Sequence, residues 1–347
     1  MSDGPHRRSP GPLRGVNLGG WLLLEKWLTP SLFAGIEAED EDGFMRTPGA
    51  AEKLRRHRAE FLGEDDFAWI AAHGLDLVRI PVGHWVFGDD PLMLGCVEEL
   101  DWAMDRAAEH GLLVLLDLHG APGSQNGRDH SGLIGRRDWY ARPEHRRHTL
   151  DVLVRLAERY RDADHLWGIE LLNEPMDPRI WTLIRFYREA YARLTTILRP
   201  GTRIVFSDGF VPWLTRNAIR AVPDFPVIMD CHLYQCFYPW DQRSSISHHL
   251  RKASRTRARL IRWIARKHPV MVGEWSLALP WRTIKDLPPA RLAELRRDFG
   301  DAQQRGYAEA IAWTFWNYTA EERNEWNYRA LVEDGALVLP GAATDQV

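Results

Sequence analysis

Short apolar runs alternate with longer amphipathic stretches along this chain. The apolar runs have strand length and predict strands at 14–18, 75–80, 112–118, 166–172, 203–207, 227–232, 270–273 and 310–316. Helical spacing of apolar residues predicts helices near 64–73, 95–110, 145–161, 179–198, 212–220, 247–267, 289–305 and 325–333. Strands and helices that alternate in this way predict an α/β fold, a closed parallel (β/α)8 or TIM barrel in a single domain.

A doubly wound open sheet is the alternative arrangement of alternating strands and helices. Its nucleotide-binding form carries Gly-x-Gly-x-x-Gly after the first strand, and the segment Gly15-Val-Asn-Leu-Gly-Gly20 lacks that spacing. We therefore expect residues 14–340 to form a catalytic barrel with a long first βα loop. Residues 1–13 are expected to form a disordered lead.

Charge and composition argue against several classes of function. The net charge is −3, which gives no general attraction to nucleic acid or to an anionic membrane. The basic segment 251–267 carries an apolar stripe at Leu260, Ile261 and Ile264, so its arginines are expected to face solvent on an outer helix. No apolar span approaches membrane length and no signal-peptide pattern is present, so we expect a cytoplasmic protein.

The cysteines predict neither a disulfide framework nor a metal site. The chain has three of them, an odd number and a small one for its length. Cys231 and Cys236 flank His232, but three ligands without knuckle spacing do not make a structural zinc site. We expect no metal and no cofactor.

Two glutamates stand where predicted buried strands end. Glu174 follows the apolar run of Gly168-Ile-Glu-Leu-Leu-Asn-Glu-Pro175, and Glu274 follows that of Val270-Met-Val-Gly-Glu-Trp275. Cleavage of a glycosidic bond needs such a pair, one to protonate the leaving oxygen and one to act at the anomeric carbon. Taken singly, each could be a salt-bridged structural residue, but their matching contexts favour catalysis.

Other polar and aromatic residues end the neighbouring strands. The active sites of (β/α)8 barrels lie at the carboxyl ends of the strands, so these side chains are expected to share one rim. They are Arg79, His119, Asn173, His232, Tyr234 and Trp316. The chain also has 16 Trp, and several fall in predicted loops where flat apolar rings suit the C–H faces of sugars: Trp21, Trp27, Trp85, Trp139, Trp240, Trp281 and Trp316.

Three long strings of sequence resemble glycoside hydrolase family 5, and within it the exo-β-1,3-glucanase (glucan β-1,3-glucosidase) branch. They are the segment 15–33, Leu116-Asp-Leu-His-Gly-Ala-Pro-Gly-Ser-Gln-Asn-Gly127 and Leu171-Leu-Asn-Glu-Pro175. The resemblance extends from about Arg14 to Gly335.

The resemblance implies a role for each site residue. Glu174 would be the general acid/base and Glu274 the nucleophile of a retaining double displacement. Arg79 and Tyr234 would hydrogen-bond the nucleophile, and Asn173 would hold the sugar 2-hydroxyl. The remaining assigned residues would bind the terminal glucose or the next sugar: Glu25, His119, His232, Trp316 and Phe237.

One position departs from the branch. The branch often places a Phe after Ser-Gln-Asn-Gly, where it forms a clamp with a second Phe around the entering sugar. Here that position is Arg128, whereas Phe237 occupies the second. Half of the clamp is missing, which leaves the leaving-group preference open.

The resemblance implies an exo-acting enzyme that releases glucose from the non-reducing end of β-1,3-glucans or related β-glucosides. Alternatives on the same scaffold are a broad-specificity or β-1,6-glucosidase, a diglycosidase and a transglycosylase. A non-catalytic sugar-binding barrel should have lost one of Glu174, Glu274, Arg79 or Tyr234, and all four are present. A metal-dependent hydrolase would need a cluster such as His-x-His at the first strand, and none is there. Linkage, chain length and oligomeric state stay open.

Overall fold

A computed structural model describes residues 11–338 of the chain. Eight parallel strands form a closed barrel in sequence order, β1 to β8, and β8 pairs with β1 to close it. The strands are Leu13–Asn17, Leu77–Gly83, Leu113–Gly120, Leu166–Glu170, Arg203–Ser207, Val227–His232, Val270–Glu274 and Ala312–Phe315. The predicted (β/α)8 barrel is confirmed. Of the predicted lead, residues 1–10 lie outside the described residues, and β1 already begins at Leu13.

Helices follow the strands around the outside of the barrel. The α-helices α1 to α12 are Glu41–Met45, Ala50–Phe61, Glu64–Ala72, Val97–Glu109, Pro143–Tyr160, Ile180–Leu194, Pro212–Thr215, Ile246–Arg251, Arg257–Ala265, Trp281–Ile284, Pro289–Gly306 and Tyr328–Glu333. A π-helical turn at Lys252–Thr256 joins α8 to α9. Short 3-10 helices lie at Pro30–Phe33, Asp129–Ser131, Asp138–Tyr140 and Asp241–Arg243.

Several helix predictions differ from the structure in extent. The helix expected at 212–220 is a single turn, α7, which begins at Pro212 and ends at Thr215. The long first βα loop contains two helices, α1 and α2. In the basic segment, Ile261 and Ile264 are buried as expected, whereas Leu260 is only partly buried.

The inner face of the barrel changes from apolar to polar along the strands. Near their amino ends the strands contribute Leu77, Leu115 and Ile228, which are buried in one cluster at the barrel axis. Side chains two residues apart in a strand lie on the same face. Arg79 and Asp117 therefore follow Leu77 and Leu115 inward, and Asp230 follows Ile228 in the same way. All three are fully buried. The carboxyl ends of the strands thus bring charged groups to one end of the barrel.

Three of the tryptophans expected to contact sugars are instead part of the core. Trp21, Trp85 and Trp139 are almost fully buried. The indole N–H of Trp21 donates to the backbone oxygen of Arg58, and that of Trp139 donates to Thr149 Oγ1. Among residues 11–338, no helix is both long and apolar enough to cross a membrane.

Candidate active site

Glu174 and Glu274 face each other at the carboxyl end of the barrel. Glu274 ends β7, whereas Glu174 lies four residues beyond the end of β4 at Glu170, not at the strand end as predicted. One carboxylate oxygen of each lies within 4.8 Å of the other, together with a ring nitrogen of His232. Glu174 has a φ of +41°, a left-handed conformation that is unfavourable for a residue with a Cβ atom.

Glu274 is held by the two residues predicted to hold it. The hydroxyl of Tyr234 donates to Oε2 at 2.8 Å. Nη1 of Arg79 donates to Oε1 at 3.2 Å. Because two donors engage different oxygens of the carboxylate, its plane and direction are fixed.

Arg79 is the centre of a buried network under the two glutamates. It is fully buried, and its Nε donates to Glu170 Oε2 at 2.8 Å. Its Nη1 also donates to Asn17 Oδ1 and its Nη2 to Asn173 Oδ1, both at 2.9 Å. Nη2 lies 3.0 Å from Asp117 Oδ2. Asn17, Asp117 and Glu170 were not predicted from the sequence, although a carboxylate inside an apolar strand run is a usable signal.

His119 is paired with a carboxylate two residues earlier in its strand. Its Nδ1 lies 2.5 Å from Asp117 Oδ2. Burial and the nearby Arg79 cation hold the pKa of His119 well below its usual range, so the ring is neutral. With Nδ1 donating to Asp117, Nε2 is the acceptor of the 3.2 Å hydrogen bond from Asn173 Nδ2. This network fixes the orientation of the Asn173 amide.

His232 is paired in the same way but carries a charge. Its Nε2 lies 3.2 Å from Asp230 Oδ2, and its Nδ1 lies 2.6 Å from Glu174 Oε1 and 3.3 Å from Glu274 Oε2. Burial opposes protonation, but the charges of Glu274 and Asp230 raise the pKa of His232 well above its usual range. Gly273 permits the packing, since a Cβ atom there would lie 1.9 Å from Asp230 Oδ2.

The two facing carboxylates influence each other's protonation. Burial and the charge of Glu174 raise the pKa of Glu274 to about 8, against the opposing effects of His232 and Arg79. Burial also acts to raise the pKa of Glu174, but the hydrogen bond and charge of His232 lower it to about 2. Carboxylates this close do not both ionise readily, so the pair titrates as a unit.

The floor of the site is aromatic. Trp316 is buried, and its ring lies parallel to that of His119, with centroids 5.4 Å apart and planes at 15°. The Trp316-Asn317 peptide is cis. The Asn317 amide pairs with the backbone of Gly19 in both directions, at 2.8 and 2.7 Å. This pairing attaches the floor to the first βα loop.

Glu25 comes from that first loop into the same pocket. It is almost fully buried, and the indole nitrogen of Trp27 donates to its Oε2 at 2.9 Å. Burial raises the pKa of Glu25 well above its usual range, and the charges of Asp129 and Glu274 add to this effect. Glu25 is therefore within electrostatic range of Glu274.

The rim of the site carries Phe237 and two residues that the sequence analysis did not identify. The exposed ring of Phe237 lies 5.2 Å from Tyr234 and 6.0 Å from Trp326, with which it stacks at 27°. His130 lies 3.3 Å from Glu174 through its Nε2. Arg128 is exposed. Trp326 comes from the segment after β8, and sequence alone gave no signal for its contact with a loop after β6.

Two groups of three side chains have the spacing of metal ligands among the described residues. One is Glu170, Asp230 and His232, and the other is Glu174, His232 and Glu274. Both ring nitrogens of His232 already contact carboxylates, and Arg79 contributes a positive charge at the centre of the cluster. We therefore assign these residues to a carboxylate site and not to a metal centre.

Comparisons with known proteins agree on one family. Residues 52–322 match the family described as cellulase (glycosyl hydrolase family 5). A probable glucan 1,3-beta-glucosidase A from Aspergillus fumigatus is 35% identical, and the match covers 97% of this chain and 89% of that protein. Glucan 1,3-beta-glucosidase 2 from Wickerhamomyces anomalus is 31% identical over 94% of this chain and 88% of its own.

A solved structure also matches the fold. The crystal structure of a rutinosidase from Aspergillus niger superposes with a TM-score of 0.81 at 19% identity, and the match covers 94% of this chain and 98% of that one. At this identity, the likeness concerns the barrel fold alone.

Proposed function

This chain belongs to glycoside hydrolase family 5 and is a glycoside hydrolase, and from that premise we propose that it is a retaining exo-β-glucosidase acting on β-1,3-linked glucans and oligosaccharides. The observation that carries the proposal is the pair of facing carboxylates, with oxygens within 4.8 Å and one of the two held by Tyr234 and Arg79. The names of the similar proteins from Aspergillus fumigatus and Wickerhamomyces anomalus support the substrate class.

The separation of the carboxylates supports retention of configuration. Retaining enzymes place the two groups about 5–5.5 Å apart, whereas inverting enzymes leave about 6.5–9.5 Å for a water molecule. Glu274 acts as the nucleophile because Tyr234 and Arg79 orient it and stabilise its ionised form. Glu174 acts as general acid and then as general base.

A proton must be on Glu174 when the bond breaks. A bound glycoside brings an acceptor oxygen to Glu174 and draws the proton of the pair to that side. Glu274 is then ionised beside Arg79, Tyr234 and the imidazolium of His232. Glu174 protonates the leaving oxygen, Glu274 forms the glycosyl bond, and water hydrolyses that bond in the second step.

The first loop supports exo action. Glu25 is buried beside the catalytic pair and is fixed by Trp27, so it is placed to accept hydrogen bonds from the outer hydroxyls of a terminal glucose. A longer chain would need the space that this side chain occupies. Trp316 and His119 lie under the sugar, and Asn173, whose Oδ1 accepts from Arg79, is placed to donate from Nδ2 to the 2-hydroxyl.

A product analysis tests the proposal. The enzyme is incubated with laminaribiose, laminaritriose, cellobiose and gentiobiose, and the anomer formed first is followed by NMR. We expect glucose from the laminari-oligosaccharides, released one unit at a time as the β-anomer. The α-anomer as first product would refute retention, and a preference for gentiobiose would make the enzyme a β-1,6-glucosidase.

A further inference from the structure

The exposed aromatic side chains of the described residues all lie on one face of the barrel. They follow the carboxyl ends of the strands, in the loops or in the first helical turns after them: Trp27, Trp181, Trp213, Phe237, Trp240 and Trp281. Trp240 and Trp281 are 64% and 71% exposed, which is unusual for the largest apolar side chain. The opposite face carries no exposed Trp, Tyr or Phe ring within residues 11–338.

Part of this aromatic surface continues outward from the catalytic pair. Tyr234, which contacts Glu274, also contacts the ring of Phe237. The next residues form a second aromatic unit, in which Tyr238 and Trp240 stack with centroids 4.6 Å apart and planes at 9°. Aromatic residues therefore continue along the chain from Tyr234, which contacts the nucleophile, to Trp240 at the rim after β6.

Trp281 extends the same surface to the rim after β7. Its helix, α10, packs against the 3-10 helix that directly follows Trp240. The hydroxyl of Thr283 donates to the backbone oxygen of Ser244 at 3.5 Å, which joins the two segments. Trp240 and Trp281 therefore belong to neighbouring segments in contact.

The segment that carries Tyr238 and Trp240 is fixed in place. Asp241 is fully buried, its carboxylate pairs with Lys252 Nζ at 2.5 Å, and its backbone N–H donates to the oxygen of Tyr238. The side-chain amide of Gln242 donates to the oxygen of Cys236 at 2.5 Å. A rigid aromatic surface loses little entropy when a ligand stacks on it.

The surface lies on the side of the leaving group. Burial raises the pKa of Tyr238, and the charges of Asp208 and Glu174 add to this effect, so Tyr238 is within electrostatic range of the proposed acid. The acid faces the leaving oxygen. Phe237, the residue before Tyr238, contacts Tyr234 beside Glu274, so leaving-group sugars that continue beyond Phe237 reach the segment that carries Tyr238 and Trp240.

We propose that Tyr238, Trp240 and Trp281 form a distal leaving-group surface that binds the glucosyl units beyond the one next to Phe237. The ligand is a neutral β-glucan chain, whose flat C–H faces stack on aromatic rings while its hydroxyls remain hydrated. This inference rests on the proposed function and deepens it, since it concerns how many leaving-group sugars the enzyme binds.

Substrates of increasing length test the surface. For the wild-type enzyme we expect kcat/KM to rise from laminaribiose to laminaripentaose. The variants Trp240→Ala and Trp281→Ala should each lose about tenfold in kcat/KM on laminaripentaose, the effect of roughly 1.4 kcal/mol of lost stacking. Laminaribiose and a nitrophenyl glucoside should change little. Trp240→Phe, which keeps a ring, should preserve most of the length dependence.

Trp181→Ala and Trp213→Ala are matched controls. These side chains are 70% and 62% exposed on the same face, but they lie after β4 and β5. Neither control should alter the length dependence. A length-dependent loss in the controls, or none in Trp240→Ala and Trp281→Ala, would overturn the proposal. An equal loss on all substrates would also overturn it, because it would indicate a disturbance of the whole site.

Failure of the proposed function is a separate result. If the wild-type enzyme cleaves another oligosaccharide series in preference to the 1,3-linked one, the substrate assignment is wrong. The distal surface is then judged by the same length comparison on the series that the enzyme does cleave. A length dependence that disappears in Trp240→Ala would still support it.

Discussion

His232 Nδ1 lies 2.6 Å from Oε1 of Glu174, and the same nitrogen lies 3.3 Å from Glu274. One imidazolium therefore contacts both members of the proposed catalytic pair, while Asp230 holds its other ring nitrogen. Against the effect of burial, this contact lowers the pKa of Glu174, whereas burial raises the pKa of Glu274. Bound substrate must reverse this order before the glycosidic bond can break.

The proton on the pair predicts the alkaline limb of the pH profile. Activity requires one proton on the pair, so kcat/KM should fall as the pH rises through the pKa of about 8 at which that proton leaves. Glu174→Ala removes the proposed acid, and with an activated aryl glucoside its profile should have no alkaline limb near this pH. An unchanged limb in Glu174→Ala would assign the titration to another group.

Substitution of each glutamate should have a different signature. Glu274→Gln should remove nearly all turnover, because the amide cannot form the glycosyl intermediate. Glu174→Ala should lose about 10²–10⁴-fold on substrates with poor leaving groups and much less on activated aryl glucosides, which need little protonation. Steady-state kinetics on both substrate types checks this. Glu309→Gln, on the outer surface, serves as the control. Equal losses on both substrate types for Glu174→Ala would refute its role as acid.

The sequence predicted the barrel and the catalytic pair because both depend on local patterns. Strand-length apolar runs identify the strands, and the residues after them identify the rim. The buried carboxylates Asp117, Glu170 and Asp230 were missed because they lie inside those runs, and Arg79, which pairs with Asp117 and Glu170, is distant in sequence. The position of Asp117 and Asp230 two residues after an inward apolar residue is visible only once the barrel fixes which face is inside.

The tryptophans show a second limit of the sequence. Trp85 and Trp240 both fall in βα segments, yet the first is buried and the second is 64% exposed. Local sequence gives the loop but not which other loops cover it. The contact between Phe237 and Trp326 likewise joins segments that follow different strands. It gives Phe237 an aromatic neighbour, whereas the clamp pattern would place that neighbour at position 128.

Glu25 should determine both affinity and the mode of attack. Glu25→Ala removes the proposed contacts with the outer hydroxyls of the terminal glucose, and it should raise KM about 10–100-fold, the effect of losing hydrogen bonds worth about 1.4–2.8 kcal/mol. It also opens the closed end of the pocket, so disaccharide products should appear from longer glucans. Chromatography of the products and kinetics on a nitrophenyl glucoside measure the two effects.

The control for this substitution is Glu37→Ala, an exposed glutamate in the same loop. It should leave both KM and the product pattern unchanged. Unchanged KM in Glu25→Ala would remove Glu25 from the glucose-binding site.

Arg128 stands where similar enzymes often carry a clamp Phe. Its side chain is exposed at the rim, and a guanidinium is charged and strongly hydrated relative to a ring. Phe237 already has an aromatic neighbour in Trp326, so one wall of the leaving-group site is apolar without Arg128.

Arg128→Phe should supply the opposite wall. It should lower KM for laminaribiose and laminaritriose several-fold, because a second ring adds apolar contact with the leaving sugar. Nitrophenyl glucosides should change little, and Arg136→Phe in the same loop is the control. A change with aryl glucosides as large as that with laminaritriose would place Arg128 at the terminal glucose instead.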